Sequence, residues 1–380
     1  MELTELLAGS GYNVIPFSAR SERNEPCEYS SFFPEAVDFN NPRIREIPAY
    51  VYNFDAEKKI SKLIRQESIS IAHFHIYYGK ITGSVIKPLK EAGIPLVQSL
   101  HEYKLACPVY TMISDGEICN SCRGQHFYRA LPKRCNRNSM GRTLLSVVES
   151  YVSKYLGNVD KFDHFIGVSQ FMTDQMIDIG VSRSKISTIH NYVDTEKLTP
   201  LNNPERAYFL YFGRIERLKG IYTLAKAMQL NPEARLVIAG TGDGLASYES
   251  WLIQHGISNI ELVGFKSGGE LRKLIQNARA TIIPSEWYEN CPLSVLESFA
   301  YGVPVIGARV GGIPELISHG QNGFLFEMGD ADELARQLAE LEENDEICRI
   351  FAENARKDAE QRFSKQEHIN KITDLYNQLM

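Results

Sequence analysis

The chain has 380 residues, which is long for a single hydrophobic core and predicts two domains of ordinary size. A hydrophobic share of 43% and a charged share of 23% are typical of a soluble globular protein. The net charge of −6 argues against a nucleic-acid-binding protein, and no apolar run reaches the roughly 20 residues that a membrane-spanning helix needs. The seven cysteines are an odd number, and the first residues lack the features of a signal peptide, so we expect a cytoplasmic protein.

The first half of the chain is predicted to alternate between helices and strands. It opens on a helix over 2–8, continues with a short strand at 12–17, and then runs through a polar stretch, 19–58, predicted to be loop with one helical piece. Helices are then expected over 58–66, 80–92, 144–156 and 170–179, and strands over 69–75, 94–100, 162–169 and 185–190. This alternation predicts a parallel, doubly wound sheet.

His101 directly follows the predicted strand at 94–100. Ligands of doubly wound sheets bind beyond the carboxyl ends of the strands, so His101 is a candidate functional residue. The alternative is a histidine that only caps the strand or supports the loop.

Four cysteines interrupt the alternation with the spacing C-x11-C-x2-C-x12-C: Cys107, Cys119, Cys122 and Cys135. Four thiolates at such spacing resemble a structural zinc knuckle, which would fix a long loop that has no core of its own. The alternative is four buried or loosely placed thiols, and the sequence does not choose between the two.

The same segment is basic, with no Asp or Glu between Glu117 and Glu149. Its cations are Arg123, Arg129, Lys133, Arg134, Arg137 and Arg142. A run of charge usually marks only a solvated face. In an acidic chain, however, it also suggests peripheral contact with an anionic membrane at its inner face, or with a phosphate-bearing acceptor.

A turn-rich linker over 191–204 precedes a second alternating series. Its strands are expected over 207–212, 235–239, 260–263, 281–283 and 304–306. This pattern therefore predicts two Rossmann-like halves that meet near residue 200, with domains over 1–200 and 201–362. A last helix, 363–380, places its apolar residues along one face.

The stretch 285–297 carries the strongest functional signal. It follows an apolar run, 280–284, and leads into a helix predicted over 292–300, so Glu289 lies in the loop and Glu297 two turns inside the helix. Backbone N–H groups at the helix start suit a phosphate, and carboxylates beside them suit hydroxyl groups. A sugar nucleotide offers both.

Two glycine-rich turns converge on this stretch. Gly213-Arg214 with Lys219-Gly220 follows a strand and opens a helix, and two cations on such a turn suit a diphosphate. Residues 311–315 follow the strand at 304–306 and allow a close backbone approach. The glycines of 240–244 lack the spacing of a dinucleotide fingerprint and predict a tight turn.

Together these motifs resemble the retaining glycosyltransferases of family four, which have the GT-B fold, two Rossmann-like domains facing a cleft. The matches are E-x7-E at Glu289 and Glu297, G-R-x4-K-G at 213–220, G-G-x-P-E at 311–315 and G-x-N-G-x-L at 320–325. The similarity spans residue 69 to the end. The His101-Glu-Tyr segment and the four cysteines resemble a subgroup that builds bacterial surface polysaccharides.

The resemblance implies a role for each matched residue. Glu297 would bind the ribose and Glu289 a hydroxyl of the donor sugar, while Arg214 and Lys219 would stabilise the diphosphate leaving group and His101 would face the donor sugar. The implied donor-binding set is Gly213, Asn290, Pro292, Leu293, Ser294 and Glu297. No covalent catalyst is assigned, and no metal or other cofactor is needed for the chemistry.

One feature departs from the family pattern. Family members begin with a strand and a glycine-rich loop, whereas this sequence is predicted to open on the helix that follows them, so we expect the first strand to be absent. Either the true start lies upstream, or this chain folds and works differently. In a 3-2-1-4-5 sheet that strand is central, and its neighbours would lose their ladder partners. The family's last helix crosses back to the first domain, which we expect of 363–380; the alternative is a helix that stays on the second domain.

We expect a glycosyltransferase that moves a sugar from a nucleotide-sugar donor to a glycan or lipid-linked glycan. Two alternatives stay open. A nucleotide-sugar 2-epimerase of the same fold would release free sugar without an acceptor, and a non-catalytic sugar-nucleotide-binding protein would bind the donor without turnover.

Overall fold

The computed structural model describes residues 2–35, 46–202 and 204–380. The chain forms two compact units, the first made of Met1–Ile189 with Ile369–Met380 and the second of His190–His368. Linker residues 190–200, expected in the first domain, belong to the second unit, and so do 363–368. The reason is local pairing: the Val193 N–H donates to the Phe363 carbonyl (2.8 Å), and Lys365 bonds Glu196 (2.6 Å).

The first unit contains helices between short parallel strands. Its helices are α1 (Glu2–Gly9), α2 (Ile47–Val51), α3 (Phe54–Gln66), α4 (Ile86–Glu91), α5 (Met140–Tyr155), α6 (Asn158–Lys161) and α7 (Gln170–Asp178). Its strands are β1 (Ala72–Phe74), β2 (Leu96–Leu100), β3 (Ile113–Ser114), β4 (Glu117–Ile118), β5 (His164–Gly167) and β6 (Ile186–Thr188). The predicted strands at 69–75, 94–100, 162–169 and 185–190 are thus present, in shorter form.

The described residues of this unit form a parallel sheet of order β1-β2-β5-β6, and β3 pairs with β4 as a separate antiparallel ribbon. Every residue of β2 is buried, as expected of an inner strand with helices on its faces. The strand predicted at 12–17 is wrong, because no strand is assigned there. Tyr12 and Val14 instead pack against a hydrophobic cluster that includes Leu7 and Tyr376, so this segment is anchored by side chains rather than by a ladder.

The second unit has a larger sheet. Its helices are α8 (Ile221–Gln229), α9 (Leu245–Gln254), α10 (Gly268–Gln276), α11 (Leu293–Ala300), α12 (Ile313–Leu316), α13 (Ala331–Glu343) and α14 (Asp345–Gln361). Its strands are β7 (Tyr208–Phe212), β8 (Leu236–Ala239), β9 (Ile260–Gly264), β10 (Ala278–Ile283), β11 (Val305–Ala308) and β12 (Gly323–Phe326). All pair in parallel in the order β12-β11-β10-β7-β8-β9.

The two parallel sheets with intervening helices confirm the predicted fold class, α/β with two Rossmann-like domains. In the second sheet β7, β10 and β11 are adjacent, so the loops after these strands open at the same edge. Those loops carry the glycine-arginine-lysine motif, the stretch 285–297 and the 311–315 motif.

The last helix, α15 (Lys365–Leu379), contributes most of its length to the first unit. Ile369, Ile372, Leu375 and Tyr376 are buried in the same cluster as Val97 of β2. Its apolar face therefore completes the core of the first sheet. Among the described helices, none is long and apolar enough to cross a membrane.

Candidate functional site

The carboxylate of Glu289 is the centre of a hydrogen-bonded cluster just beyond the carboxyl end of β10. Its Oε1 atom accepts from Ser285 Oγ at 2.8 Å, from Trp287 Nε1 at 2.6 Å and from Lys219 Nζ at 2.7 Å. Only 13% of the Glu289 side chain is exposed. Three hydrogen-bond donors on one oxygen hold the carboxylate in a single orientation beyond the carboxyl end of this inner strand.

Lys219 is held from two sides. It ends the turn Arg217–Lys219 that follows β7, and its ammonium lies both against Glu289 and 4.5 Å from the centre of the Trp287 ring. The ring face attracts the cation in addition to the ion pair. The structure thus brings together the two charged residues that the sequence placed in separate motifs.

Backbone contacts explain why these loops meet. Gly220 has φ +73°, and a Cβ atom there would lie 1.7 Å from the Pro284 carbonyl oxygen, so only glycine fits. The Glu286 N–H donates to the Leu218 carbonyl at 2.8 Å, and Thr223 Oγ1 donates to Glu286 Oε1 at 2.6 Å. The loop after β7 and the loop after β10 are therefore fastened along their length.

The backbone of Glu289 is fixed by the 311–315 motif. Gly311 has φ +59°, and a Cβ atom there would lie 2.2 Å from the Glu289 carbonyl oxygen. The Gly312 N–H donates to the same oxygen at 2.7 Å. The predicted close backbone approach at this motif therefore serves Glu289.

Arg214 is placed differently from Lys219. Its guanidinium pairs with Glu216 at 3.0 Å, and 60% of its side chain is exposed. The Tyr211 hydroxyl donates to the Arg214 carbonyl at 2.6 Å. The glycines of 240–244 pack against this loop, since a Cβ atom at Gly240 would lie 1.9 Å from the Gly213 carbonyl oxygen. They allow a close approach between two loops.

The helix start that was predicted to meet a phosphate is the N-terminus of α11. Pro292 is its N-cap and makes no side-chain cap, and Leu293 is 52% exposed. The side-chain amide of Asn191 donates to the Cys291 carbonyl at 3.1 Å and so fixes the approach to the helix. Glu297 is the fifth residue of α11, about one turn from its start, because the helix begins at Leu293; the prediction of two turns is wrong.

The remaining glycine motif has a structural function. The Asn322 side chain is fully buried, accepts from the Ser318 N–H at 2.8 Å and donates to Asp358 Oδ2 at 2.6 Å. These bonds close the turn before β12 and join it to α14.

His101 belongs to a column of three histidines at the ends of β1 and β2. His101 Nε2 and His75 Nδ1 share a hydrogen bond of 2.8 Å, and the His73 ring stacks on His75 with the ring centres 4.6 Å apart. His73 in turn bonds Tyr376 at 2.5 Å and Ser99 at 2.8 Å. His73 and His75 lie within the strand predicted over 69–75, and the sequence indicated no function for them.

The electrostatics next to this column are set by burial. Burial lowers the pKa of His101, which favours the neutral ring near pH 7. Burial also raises the pKa of Glu102 to about 7, and the ammonium of Lys104 only partly opposes that shift. The end of β2 therefore presents a neutral imidazole beside a carboxyl group that changes its charge near neutral pH.

The four cysteines line one cavity, together with Met112, Ile113, Ala130 and Ile179. Burial and the neighbouring thiols raise the pKa of Cys122 to about 12. Burial opposes ionisation of Cys119 as well, but hydrogen bonds from Ser121 and the charge of Lys133 outweigh it and lower its pKa. Within 2–35, 46–202 and 204–380, no three His, Cys, Asp or Glu side chains are placed to hold a metal ion, so the zinc site stays a prediction.

Several neighbours of Glu289 carry no local signal in the sequence. Trp287, Thr223 and Glu286 act through contacts between residues far apart in the chain. The position of Trp287 two residues before Glu289 is the one feature that could have drawn attention to it.

Comparison with known proteins gives two family matches. The model described as Glycosyltransferase Family 4 matches residues 1–197, and the model described as Glycosyl transferases group 1 matches residues 194–358. N-acetyl-alpha-D-glucosaminyl L-malate synthase of Bacillus anthracis is 24% identical over 379 residues, which cover 99% of this chain and 91% of that protein.

Two further proteins resemble this chain. An amylovoran biosynthesis glycosyltransferase of Erwinia amylovora is 26% identical over 231 residues, or 56% of each chain. The crystal structure of the Anabaena protein HepE in complex with UDP superposes with a TM-score of 0.64 at 20% identity, covering 85% of this chain and 82% of that one.

Proposed function

Because this chain belongs to glycosyltransferase family 4, we propose that it transfers a sugar, with retention of configuration, from a nucleotide-sugar donor to a glycan or lipid-linked glycan in surface polysaccharide synthesis. The chain is a glycosyltransferase with the GT-B fold, and its relatives include a protein of amylovoran biosynthesis. The observation that carries the proposal is the cluster of Lys219, Trp287 and Glu289 beyond β10.

The donor is held by groups that differ in charge. Lys219 supplies a fixed cation for the diphosphate, and Arg214, which is exposed, supplies a planar fork that can leave Glu216 for a stronger anion. In the part of the chain that the structure describes, every hydrogen-bond donor that contacts the Glu289 carboxylate bonds its Oε1 atom. Its Oε2 atom is therefore the acceptor for a sugar hydroxyl.

The reaction needs no covalent intermediate with the protein. The acceptor oxygen bonds to the anomeric carbon as the bond from that carbon to the diphosphate breaks, and the bonding electrons leave with the diphosphate. The acceptor proton passes to an oxygen of the departing phosphate. Lys219 and Arg214 stabilise the negative charge that builds there, which lowers the barrier.

The first experiment is thermal unfolding with a panel of UDP-, GDP- and ADP-sugars. A donor at 100 times its Kd stabilises the folded protein by about 2.7 kcal/mol, so one nucleotide should raise the unfolding temperature. We expect Glu297→Ala to abolish the rise and Glu353→Gln, on the exposed face of α14, to leave it unchanged.

Transfer is then measured with the donor so identified and membrane or glycan fractions as acceptor, and the anomeric configuration of the product is read by NMR. Inversion would contradict retention. Release of free sugar without acceptor would indicate the epimerase, and binding without turnover would indicate a sugar-nucleotide-binding protein. If no nucleotide sugar in the panel raised the unfolding temperature, the proposed nucleotide-sugar donor would be contradicted.

A further inference from the structure

Helix α5 exposes an apolar stripe. The exposed fractions are 46% for Met140, 50% for Leu144, 41% for Val148 and 90% for Tyr155. At 3.6 residues per turn these four side chains fall within an arc of about 80° along the helix. The outward face of α5 is thus apolar over nearly its whole length.

The charges of α5 do not neutralise this face. Glu149 points inward, where its carboxylate is 6% exposed and pairs with Lys104 at 2.6 Å. Arg142 lies about 160° from Leu144 and about 120° from Val148 around the helix, and the exposed Lys154 lies beside the stripe near its end, where it adds a cation. A surface helix normally has the reverse arrangement, with apolar residues toward the core and charged residues outward.

A basic segment lies directly beside the stripe. Arg129, Lys133, Arg134 and Arg137 are exposed, and no acidic residue occurs between Glu117 and Glu149. Tyr128, which is 52% exposed, adds an amphipathic ring 6.0 Å from the Arg129 guanidinium. In a chain with a net charge of −6, this is a local concentration of positive charge.

The basic segment and α5 form one fixed surface. The Tyr128 N–H donates to the Tyr151 hydroxyl at 3.2 Å, and the Asn136 N–H donates to Thr143 Oγ1 at 3.0 Å. Beneath them, Phe127, Ala130 and Val147 share a buried cluster with Cys122. The fold of the chain itself therefore fixes the positions of these cations and apolar side chains.

We propose that this surface docks on an anionic lipid bilayer, with the α5 stripe at the level of the headgroups and the basic segment against the phosphates. Apolar side chains flanked by cations have the pattern of an interfacial helix, and each cation near an anionic surface adds to binding. A second copy of the chain fits less well, because a two-fold contact would bring the two basic segments together. The docking does not depend on which donor the enzyme uses.

The test is flotation of the purified chain with vesicles of phosphatidylcholine alone or with 30% phosphatidylglycerol. We expect binding to the anionic vesicles only, weakened by 0.5 M salt. Leu144→Glu/Val148→Glu should lower the partition coefficient by at least roughly tenfold. Arg129→Glu/Arg134→Glu should lower it by more than about 25-fold, since each of the two lost cations is worth about a factor of five and the new carboxylates add repulsion.

The matched control is Ile253→Glu/Phe265→Glu, which places the same charges on exposed apolar positions of the second unit. It should bind vesicles like the unchanged protein. Thermal unfolding with the nucleotide-sugar panel, run on the same samples, shows that each variant is folded and separates failure of docking from failure of the proposed donor site.

Two results would overturn the docking. One is absence of flotation with anionic vesicles by a protein whose donor response is intact. The other is a dimer that light scattering detects and Leu144→Glu dissociates, which would make the stripe an interface between copies.

Discussion

Each unit contains a lysine–glutamate ion pair of nearly the same length, and the two pairs differ in their access to solvent. Lys219 and Glu289 are 2.7 Å apart with 20% and 13% of their side chains exposed. Lys104 and Glu149 are 2.6 Å apart with 5% and 6% exposed. The first pair lies beyond the carboxyl ends of β7 and β10 and is partly open to solvent. The second pair is buried in the interior.

The two pairs also differ in the groups around them, and those around Lys104 keep it charged in the interior. Burial disfavours the Lys104 ammonium, but the Glu149 carboxylate outweighs it and raises the pKa of Lys104. The Lys104 ammonium also donates to the Pro108 carbonyl at 2.7 Å, which joins the cysteine loop to α5. Identical chemical groups therefore hold a loop in one unit and stay partly open to solvent in the other.

The largest effect is expected from Lys104→Met. It leaves the Glu149 carboxylate buried without its cation, and such changes lower the free energy of unfolding by about 3–5 kcal/mol. The double change Lys104→Met/Glu149→Leu removes both charges and should recover at least half of the loss. Urea unfolding followed by circular dichroism measures both. A loss below about 1 kcal/mol in the single variant would mean that the pair does not hold the loop.

The contrast also shows what sequence can and cannot predict. The strands of the second unit were predictable because each is a short apolar run bounded by turns, and Glu289 and Lys219 because both follow strands of one sheet. The strand at 12–17 failed because a ladder needs a neighbouring strand, which an apolar pattern cannot supply. The direction of Glu149 was not predictable either, since α5 buries its acidic residue and exposes leucine.

At the Lys219–Glu289 pair, the effect on activity should exceed the effect on stability. Lys219→Met and Glu289→Gln should each lower the rate of transfer by about 10²–10³, because each removes a preorganised group at the donor. The free energy of unfolding should fall by about 1–3 kcal/mol, less than for Lys104→Met, because Glu289 keeps its bonds from Ser285 and Trp287 and stays partly open to solvent. Arg349→Met, which breaks two exposed ion pairs on α14, is the control for both measurements. An unchanged transfer rate would remove these residues from the site.

The backbone support of the Lys219–Glu289 pair is tested by two glycines with similar φ angles. Gly311→Ala combines φ +59° with a Cβ atom 2.2 Å from the Glu289 carbonyl oxygen, so the loop must shift and transfer should fall by about 10². Gly320→Ala has φ +74° and open space around its Cβ position, and should cost only about 1 kcal/mol of stability with normal transfer. Equal activity of the two variants would show that the contact with Glu289 does not position the carboxylate.

The smallest effect is a pH dependence near the Lys104–Glu149 pair. Glu102 lies two residues before Lys104, yet burial raises its pKa from 4.5 to about 7. The folded protein therefore holds this proton over a range in which the unfolded chain has released it, so stability falls as the pH rises from about 4.5 to about 7. Because Glu102 is partly open to solvent, we expect a loss of only about 1 kcal/mol across that range.

Glu102→Gln should flatten the dependence of unfolding free energy on pH, whereas the exposed Glu353→Gln should not. A slope that survives Glu102→Gln would assign the titration to another group.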